Sequence, residues 1–320
     1  MQRILIIYNK RSSQYEKVRR EVVEPMQGLS GVLVGKYEVE RTDVDDNARR
    51  LAKILRDGDL LITAGGDATG AIAINGAMRA GKDVKIAVLA YGNFNDLSRT
   101  LKTDRLSDVI NMDGGGRNGL LAKGTTEKKL YPLQIIVNEK EFRAASCYVT
   151  IGMTAEAVEI FDEQKVREGL KTSWGRKVGS YLHLMKWYFR HRKKKDFLPE
   201  GFKVNGKVQP KKTSDYAAIN GSSMARVMKG GDDWMRPNVF RSETERTVKF
   251  WPLVKLMTRS IFVRVPGEVT RGDVLEFHNV AEVEIQAEGE YRKFQNVKRI
   301  EVRKNDKFIK VIYGGGDGKR

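Results

Sequence analysis

The chain is poor in the residues that build covalent or metallic scaffolds: 320 residues hold one cysteine, Cys147, and three histidines. One cysteine closes no intramolecular disulfide, and so few thiols and imidazoles make no zinc cluster or convincing histidine metal centre. Cys147 lies in the strand-like stretch from Ala144 to Ile151 and reads as a small core residue. Long apolar runs are also missing: nothing approaches the roughly 20 apolar residues that cross a bilayer as a helix. Met1-Gln2-Arg3-Ile4 leads directly into a strand pattern and not into a signal sequence, so a cytoplasmic protein is expected. Acidic residues are too few to balance the basic ones, with 41 Asp and Glu against 59 Lys and Arg, a formal charge of +18. A surplus of that size predicts a polyanionic partner, a membrane leaflet or nucleic acid. With no helix-turn-helix, zinc-finger or aromatic RNA-binding signature, nucleic acid is not expected.

At 40% hydrophobic, 320 residues bury one large core or two medium ones, and two domains are expected. The first reads as alternating strands and helices: strand Arg3 to Tyr8, helix Tyr15 to Met26, strand Lys36 to Arg41, helix Asp45 to Arg56, a glycine-ended strand at Leu60, helix Asp67 to Ala80, and strand Val84 to Ala90. That alternation implies a doubly wound, mostly parallel α/β sheet, whose ligands bind beyond the carboxyl ends of the strands. Asn9, Thr42, Gly65 and Gly92 fall at such ends. The expected boundaries are 1–125 for this α/β domain, 126–313 for a β-rich, sandwich-like domain, and 314–320 for a flexible tail. In the second domain Tyr131 to Asn138 and Phe142 to Ile151 read as a hairpin, and short strands recur from Phe202 to Ile312.

Leu60-Leu61-Ile62-Thr63-Ala64-Gly65-Gly66-Asp67-Ala68-Thr69-Gly70 is an apolar strand running into a glycine pair, a carboxylate, a hydroxyl and a helix. Glycines let backbone close on a ligand, and free N–H groups at a helix start favour anionic oxygens. On spacing alone this is either a phosphate site or a strand-to-helix turn.

The motif resembles the phosphate loop of the diacylglycerol kinase and sphingosine kinase family of lipid kinases, Gly-Gly-Asp-Gly-Thr, with Ala68 at the fourth place. Other blocks follow in family order: Asn9-Lys10-Arg11-Ser12-Ser13, Gly92-Asn93-Phe94-Asn95-Asp96 with Arg99 and Leu101, Gly152 to Val158, and Ala287-Glu288-Gly289-Glu290, similar to the family's Asp-Gly-Glu. The resemblance implies transfer of the γ-phosphate of ATP, or another nucleoside triphosphate, with Mg2+, to a diacylglycerol-like or sphingoid hydroxyl. It implies Asn9, Ser12, Thr42, Gly65, Gly66, Asp67, Thr69, Gly92, Asn95, Asp96 and Glu290 as nucleotide-binding. Asp67 would hold the metal indirectly, through water, and Asp67, Glu243 and Glu290 would be catalytic. Glu243 falls at the place of a family aspartate; it reads equally as an ordinary salt-bridging residue beside Arg241, Arg246 and Lys249.

Departures at Ala68, Phe94 and Glu243 leave two other readings open, a catalytically weak relative that binds nucleotide or anionic membrane, and a kinase of a soluble substrate similar to NAD kinases. Ala68 would be strained if its backbone needed a positive φ. The charge surplus concentrates between Lys171 and Lys195, which carries no acid. Apolar residues recur there at helical spacing, giving a basic amphipathic helix. Lys177, Lys186, Trp187, Arg190, Lys193, Lys194 and Lys195 are its membrane-facing candidates, for peripheral attachment at the inner face of the membrane, the alternative being a solvated face of a packed helix. Exposed strand edges leave room for a homodimer.

Overall fold

The computed structural model describes residues 1–40, 43–92, 95–112, 120–156, 186, 189, 197–210, 213–224, 228–229, 231–245, 268–288 and 290–314. Two compact units form: Met1–Pro132, Trp234–Pro237 and Asn305–Arg320 make the first, and Leu133–Asp233 with Asn238–Lys304 the second.

In the first unit β1 (Gln2–Tyr8) leads to α1 (Tyr15–Val18), which continues through a π turn at Arg19–Val23 into α2 (Glu24–Gln27). β2 (Val32–Glu38), α3 (Val44–Ile54), β3 (Leu60–Gly65), α4 (Asp67–Ala80), β4 (Lys85–Ala90) and α5 (Asp96–Leu101) follow. β5 (Thr126–Leu130) and β18 (Ile309–Tyr313) complete a sheet of order β2-β1-β3-β4-β18-β5. All neighbours pair parallel except β5, which is antiparallel to β18. The central strands are apolar runs because both faces are covered: Ile4 to Ile7, Leu60 to Ile62 and Ile86 to Leu89 are all buried. Asp43 starts α3 by accepting the Asp46 N–H at 2.7 Å, and Gly81, at φ +61, ends α4.

The order places β2 and β3 on opposite sides of β1, so the winding reverses between β1 and β3. Doubly wound sheets bind ligands outside the carboxyl ends at such a switch point. Asn9 follows β1 there, and Gly66 follows β3.

Several expectations shift. β2 starts four residues before the expected Lys36 because Gly35 does not break the strand; a Cβ there would stand 3.1 Å from the Leu5 side chain, so glycine permits close packing on β1. Residues 126–130 and 309–313, read with the second domain, pair in the first sheet instead. Trp234 joins them, stacked on Tyr313 at 6.1 Å with its carbonyl accepting the Tyr131 N–H at 2.9 Å.

The second unit is β-rich, as expected, and its principal strands form one ten-stranded antiparallel sheet. Its strands are β6 (Leu133–Val137), β7 (Lys140–Ala145), β8 (Tyr148–Gly152), β9 (Lys203–Val204), β10 (Lys207–Val208), β11 (Asp215–Ile219), β14 (Phe240–Glu245), β15 (Glu268–Thr270), β16 (Gly272–Ala287) and β17 (Glu290–Lys304). β12 (Ser223–Met224) and β13 (Met228–Lys229) pair separately. The single strand expected from Phe142 to Ile151 is two, because a turn at Ser146 and Cys147 sends β7 to the side of β6 and β8 between β11 and β16. Cys147 is buried as expected, but in this turn. The strands around 247–253 and 261–265, the glycine loop 113–119 and the tail from 315 lie outside the described residues.

Candidate functional site

At the carboxyl edge of the first sheet two loops meet, one after β3 and one after β4. Gly66 and Gly92 are in backbone contact: a Cβ on Gly66 would stand 3.2 Å from the Gly92 Cα, and one on Gly92 would stand 3.0 Å from the Gly66 nitrogen. Neither loop tolerates a side chain at that crossing. Gly65 is closed in the same way, since a Cβ there would fall on the Thr69 side chain. Thr69 therefore packs back over the end of β3, and it is buried.

The side chains of this edge tie the loops together. Asn95, in the left-handed region at φ 55, donates through Nδ2 to the Gly92 carbonyl and accepts the Gly92 N–H through Oδ1, both at 2.7 Å. Asp67 Oδ1 accepts the Leu97 N–H at 3.2 Å, so the first residue of α4 satisfies an N–H at the start of α5. Asp96 is fully buried and paired with Arg99. The start of α4 has no side-chain cap. An uncapped start of a 14-residue helix, beside two bare glycines, offers N–H groups and a positive dipole end to an anion. Gly65, Gly66, Asp67, Thr69, Gly92, Asn95 and Asp96 are thus brought together. Asn9 and Ser12 stand on the neighbouring β1 turn, where Asn9 accepts the Arg11 N–H at 2.9 Å and Ser12 the Gln14 N–H at 3.2 Å.

Ala68 is right-handed helical inside α4 and absent from the positive-φ positions, so its methyl costs no backbone strain. Restoring glycine by Ala68→Gly is expected to lower stability by up to about 1 kcal/mol and to leave nucleotide affinity unimproved, as thermal melts and a nucleotide titration will show.

Mg2+ bound with a nucleotide takes its ligands mostly from phosphate oxygens and water, with one or two carboxylates. Asp67 fits that single-carboxylate role; among the described residues no three His, Cys, Asp or Glu converge as a metal cage. Thr42 and Phe94 lie outside the described residues, as do Lys177, Trp187, Arg190 and Lys193 to Lys195. Lys186 is described as helical and exposed, like Phe189.

The second unit holds the remaining carboxylates. Glu243 is mid-strand on β14, half-buried and opposite Ala217, while its neighbour Arg241 pairs with Asp233 at 3.0 Å. Glu290 opens β17, with Arg143 3.8 Å from its carboxylate. Between the paired Ala287 and Glu290 lies Glu288, at φ 56 and 1% exposed, accepting the Cys147 N–H at 2.6 Å. Two-residue hairpin turns with positive φ favour Asn-Gly or Asp-Gly. A glutamate held there, buried and left-handed, is a strained feature of the kind that accumulates at functional sites. Sequence reasoning named the motif without assigning Glu288 a role.

Lys304 went unnoticed altogether, although its parity shows: Ile300, Val302 and Lys304 alternate along β17 and are all buried. Burial lowers its ammonium pKa to about 7, against the opposing attraction of Asp233. Burial likewise raises the Tyr91 phenol, which donates to Glu21 at 3.1 Å.

Residues 3–140 match the family described as the diacylglycerol kinase catalytic domain. Among solved structures, a diacylglycerol kinase from Bacillus anthracis strain Sterne superposes with a TM-score of 0.60 at 17% identity, over 98% of this chain and 97% of that one. A second structure from the same organism, of a protein provisionally assigned the same activity, gives 0.64 at 15% identity, over 98% and 97%. These likenesses establish the fold. No curated protein matches the chain.

Proposed function

We propose, because residues 3–140 match the diacylglycerol kinase catalytic-domain family, that this protein is a lipid kinase. It transfers the γ-phosphate of ATP to the hydroxyl of a diacylglycerol-like or sphingoid lipid at an anionic membrane surface. The observation that carries this reading is the crossing of Gly66 and Gly92 at the uncapped start of α4, beside the β1/β3 switch point. Phosphoryl transfer asks a protein mainly to position the phosphates and neutralise developing charge. Backbone N–H groups at the start of α4, from residues 66 to 68, would hold the donor phosphates, Asp67 would orient the water around a bound Mg2+, and the metal would supply charge neutralisation. A net charge of +18 supports docking on an anionic leaflet, which keeps the acceptor within reach.

A carboxylate must orient or deprotonate the acceptor hydroxyl. Glu288 suits this better than Glu243, since its carboxylate is fixed by a backbone donor while Glu243 sits within a regular strand pairing. Glu288→Gln keeps an acceptor oxygen for the Cys147 N–H and removes the charge. With labelled ATP, Mg2+ and anionic vesicles carrying diacylglycerol or sphingoid base, it is expected to lower kcat by about 100-fold, and Glu243→Gln by much less. The reverse order returns the role to Glu243. Label that never enters lipid from the wild type, under any donor nucleotide, rejects the kinase reading.

A further inference from the structure

Lys304 is 6% exposed at the end of β17, and burying an ammonium is costly. A buried ionic or polar group is often replaceable by an apolar residue with no loss of stability, so stability alone does not account for a lysine there. Its Nζ donates to the Asp233 carbonyl at 2.9 Å and to Asn220 Oδ1. Charged groups among the described residues at this end include the Asp233 carboxylate and Arg241, which pair with each other at 3.0 Å.

A carboxamide in a strand loop has two faces, one accepting and one donating. Lysine only donates, so Lys304 dictates which way Asn220 turns: Oδ1 toward the ammonium, Nδ2 toward the Ser146 carbonyl at 2.6 Å. The backbone N–H groups of Asn220 and Gly221 donate to the next carbonyl, Cys147, at 2.6 and 2.8 Å. Gly221 has to be a glycine for this approach, because a Cβ would stand 2.8 Å from the Cys147 sulfur.

The peptide bond is planar and trans, so a carbonyl held on one side sends its partner N–H out on the other. Ser146 C=O and Cys147 N–H belong to one peptide unit, Cys147 C=O and Tyr148 N–H to the next. Asn220 and Gly221 hold the two carbonyls, and Glu288 Oε1 receives the two N–H groups, at 2.6 and 3.4 Å. Two successive peptide units are therefore clamped between Asn220 and Glu288.

We propose that Lys304 is a positioning residue, which by orienting the Asn220 carboxamide holds the Ser146–Cys147 turn so that its N–H groups fix the Glu288 carboxylate. The clamp stands on the geometry alone; its use in catalysis rests on the reading of Glu288 given above.

The chain supplies its own probe, since Cys147 is its single cysteine and is buried at the centre of the clamp. Thiol labelling of the full-length protein by 5,5′-dithiobis(2-nitrobenzoic acid), under native conditions, reports opening of the turn. Lys304→Met and Asn220→Ala are each expected to speed labelling by about tenfold or more, with the double variant no faster than the faster single one because the two act in series. Lys304→Gln, which keeps a donor, is expected to restore slow labelling, and melting temperatures separate local opening from global loss of fold. In the vesicle assay Lys304→Met is expected to lower kcat while leaving the KM for ATP unchanged. Labelling of Lys304→Met or, should that variant not fold, of Asn220→Ala at the wild-type rate overturns the proposal, as do additive effects in the double variant. A wild type inactive on every lipid rejects the kinase reading, and the labelling rates still decide the clamp.

Discussion

Asp67→Asn is expected to remove phosphoryl transfer almost entirely while leaving the fold in place. On the proposed reading the side chain has two duties, so the two effects separate. Its Oδ1 accepts the Leu97 N–H at 3.2 Å, joining the starts of α4 and α5, and asparagine keeps an oxygen that can do so. Its negative charge has no counterpart in asparagine. In phosphoryl transfer the protein contributes positioning and electrostatics and little covalent chemistry, so loss of the charge proposed to orient the metal's water is expected to cost about 1,000-fold or more in kcat. Far-ultraviolet circular dichroism and melting temperature are expected to match the wild type, with lipid labelling at background. Full activity in this variant would remove the phosphate-loop assignment, since among the described residues the other carboxylate at the crossing of the two loops, Asp96, is buried against Arg99.

Gly92→Ala is expected to damage fold and function together. The added methyl collides with the Gly66 backbone and stands 2.8 Å from Asn95 Oδ1, the oxygen that closes the second loop. Backbone cannot rotate aside as a flexible side chain does, so both loops must separate. Overpacking of this kind costs about 1–3 kcal/mol of stability. The larger loss is catalytic: a displacement of about 1 Å at a reacting centre costs about 100-fold, and weakened phosphate binding brings the loss in kcat/KM to about 1,000-fold. Differential scanning fluorimetry with and without ATP and Mg2+ reads both: the variant melts lower, and nucleotide no longer raises its melting temperature. Wild-type behaviour would mean that the two loops do not touch in solution. The contrast with Ala68 is instructive. Both positions lie in glycine-rich motifs, yet at 68 the backbone is ordinary helix and a methyl is harmless.

Much of the first unit was legible because its strands are continuous apolar runs, and because Asp43 marks the start of α3 and Gly81 the end of α4. Leu60 to Gly65 could be placed within a residue, as could the helix that follows. The glycine pair was legible as a close approach, but its partner was not: that Gly66 faces Gly92 depends on β3 and β4 lying side by side, which no local pattern encodes. Strand limits failed where a residue played an unexpected part, as at Gly35, which packs on Leu5 instead of breaking β2. They failed again at Cys147, where an apolar stretch conceals a turn held by Asn220 and Gly221 from a strand end more than 70 residues away.

The sequence by itself determined which residues turn inward, where α3 starts and α4 ends, that a glycine pair after β3 opens a helix, and that the chain is strongly basic, since all of these follow from side-chain type and local period. Only tertiary structure decided which strands become neighbours. β18 reads like any short buried strand, yet it pairs with β4 and β5 in the first sheet. Glu288, Asn220 and Lys304 read as turn, loop and strand residues until the pairing of β8 with β11 and β16 gathers them around two peptide units. The physical reason is that periodicity tells a side chain which face it occupies, whereas a site made by hydrogen bonds between distant backbones exists only once the chain has closed the long loops that bring them together.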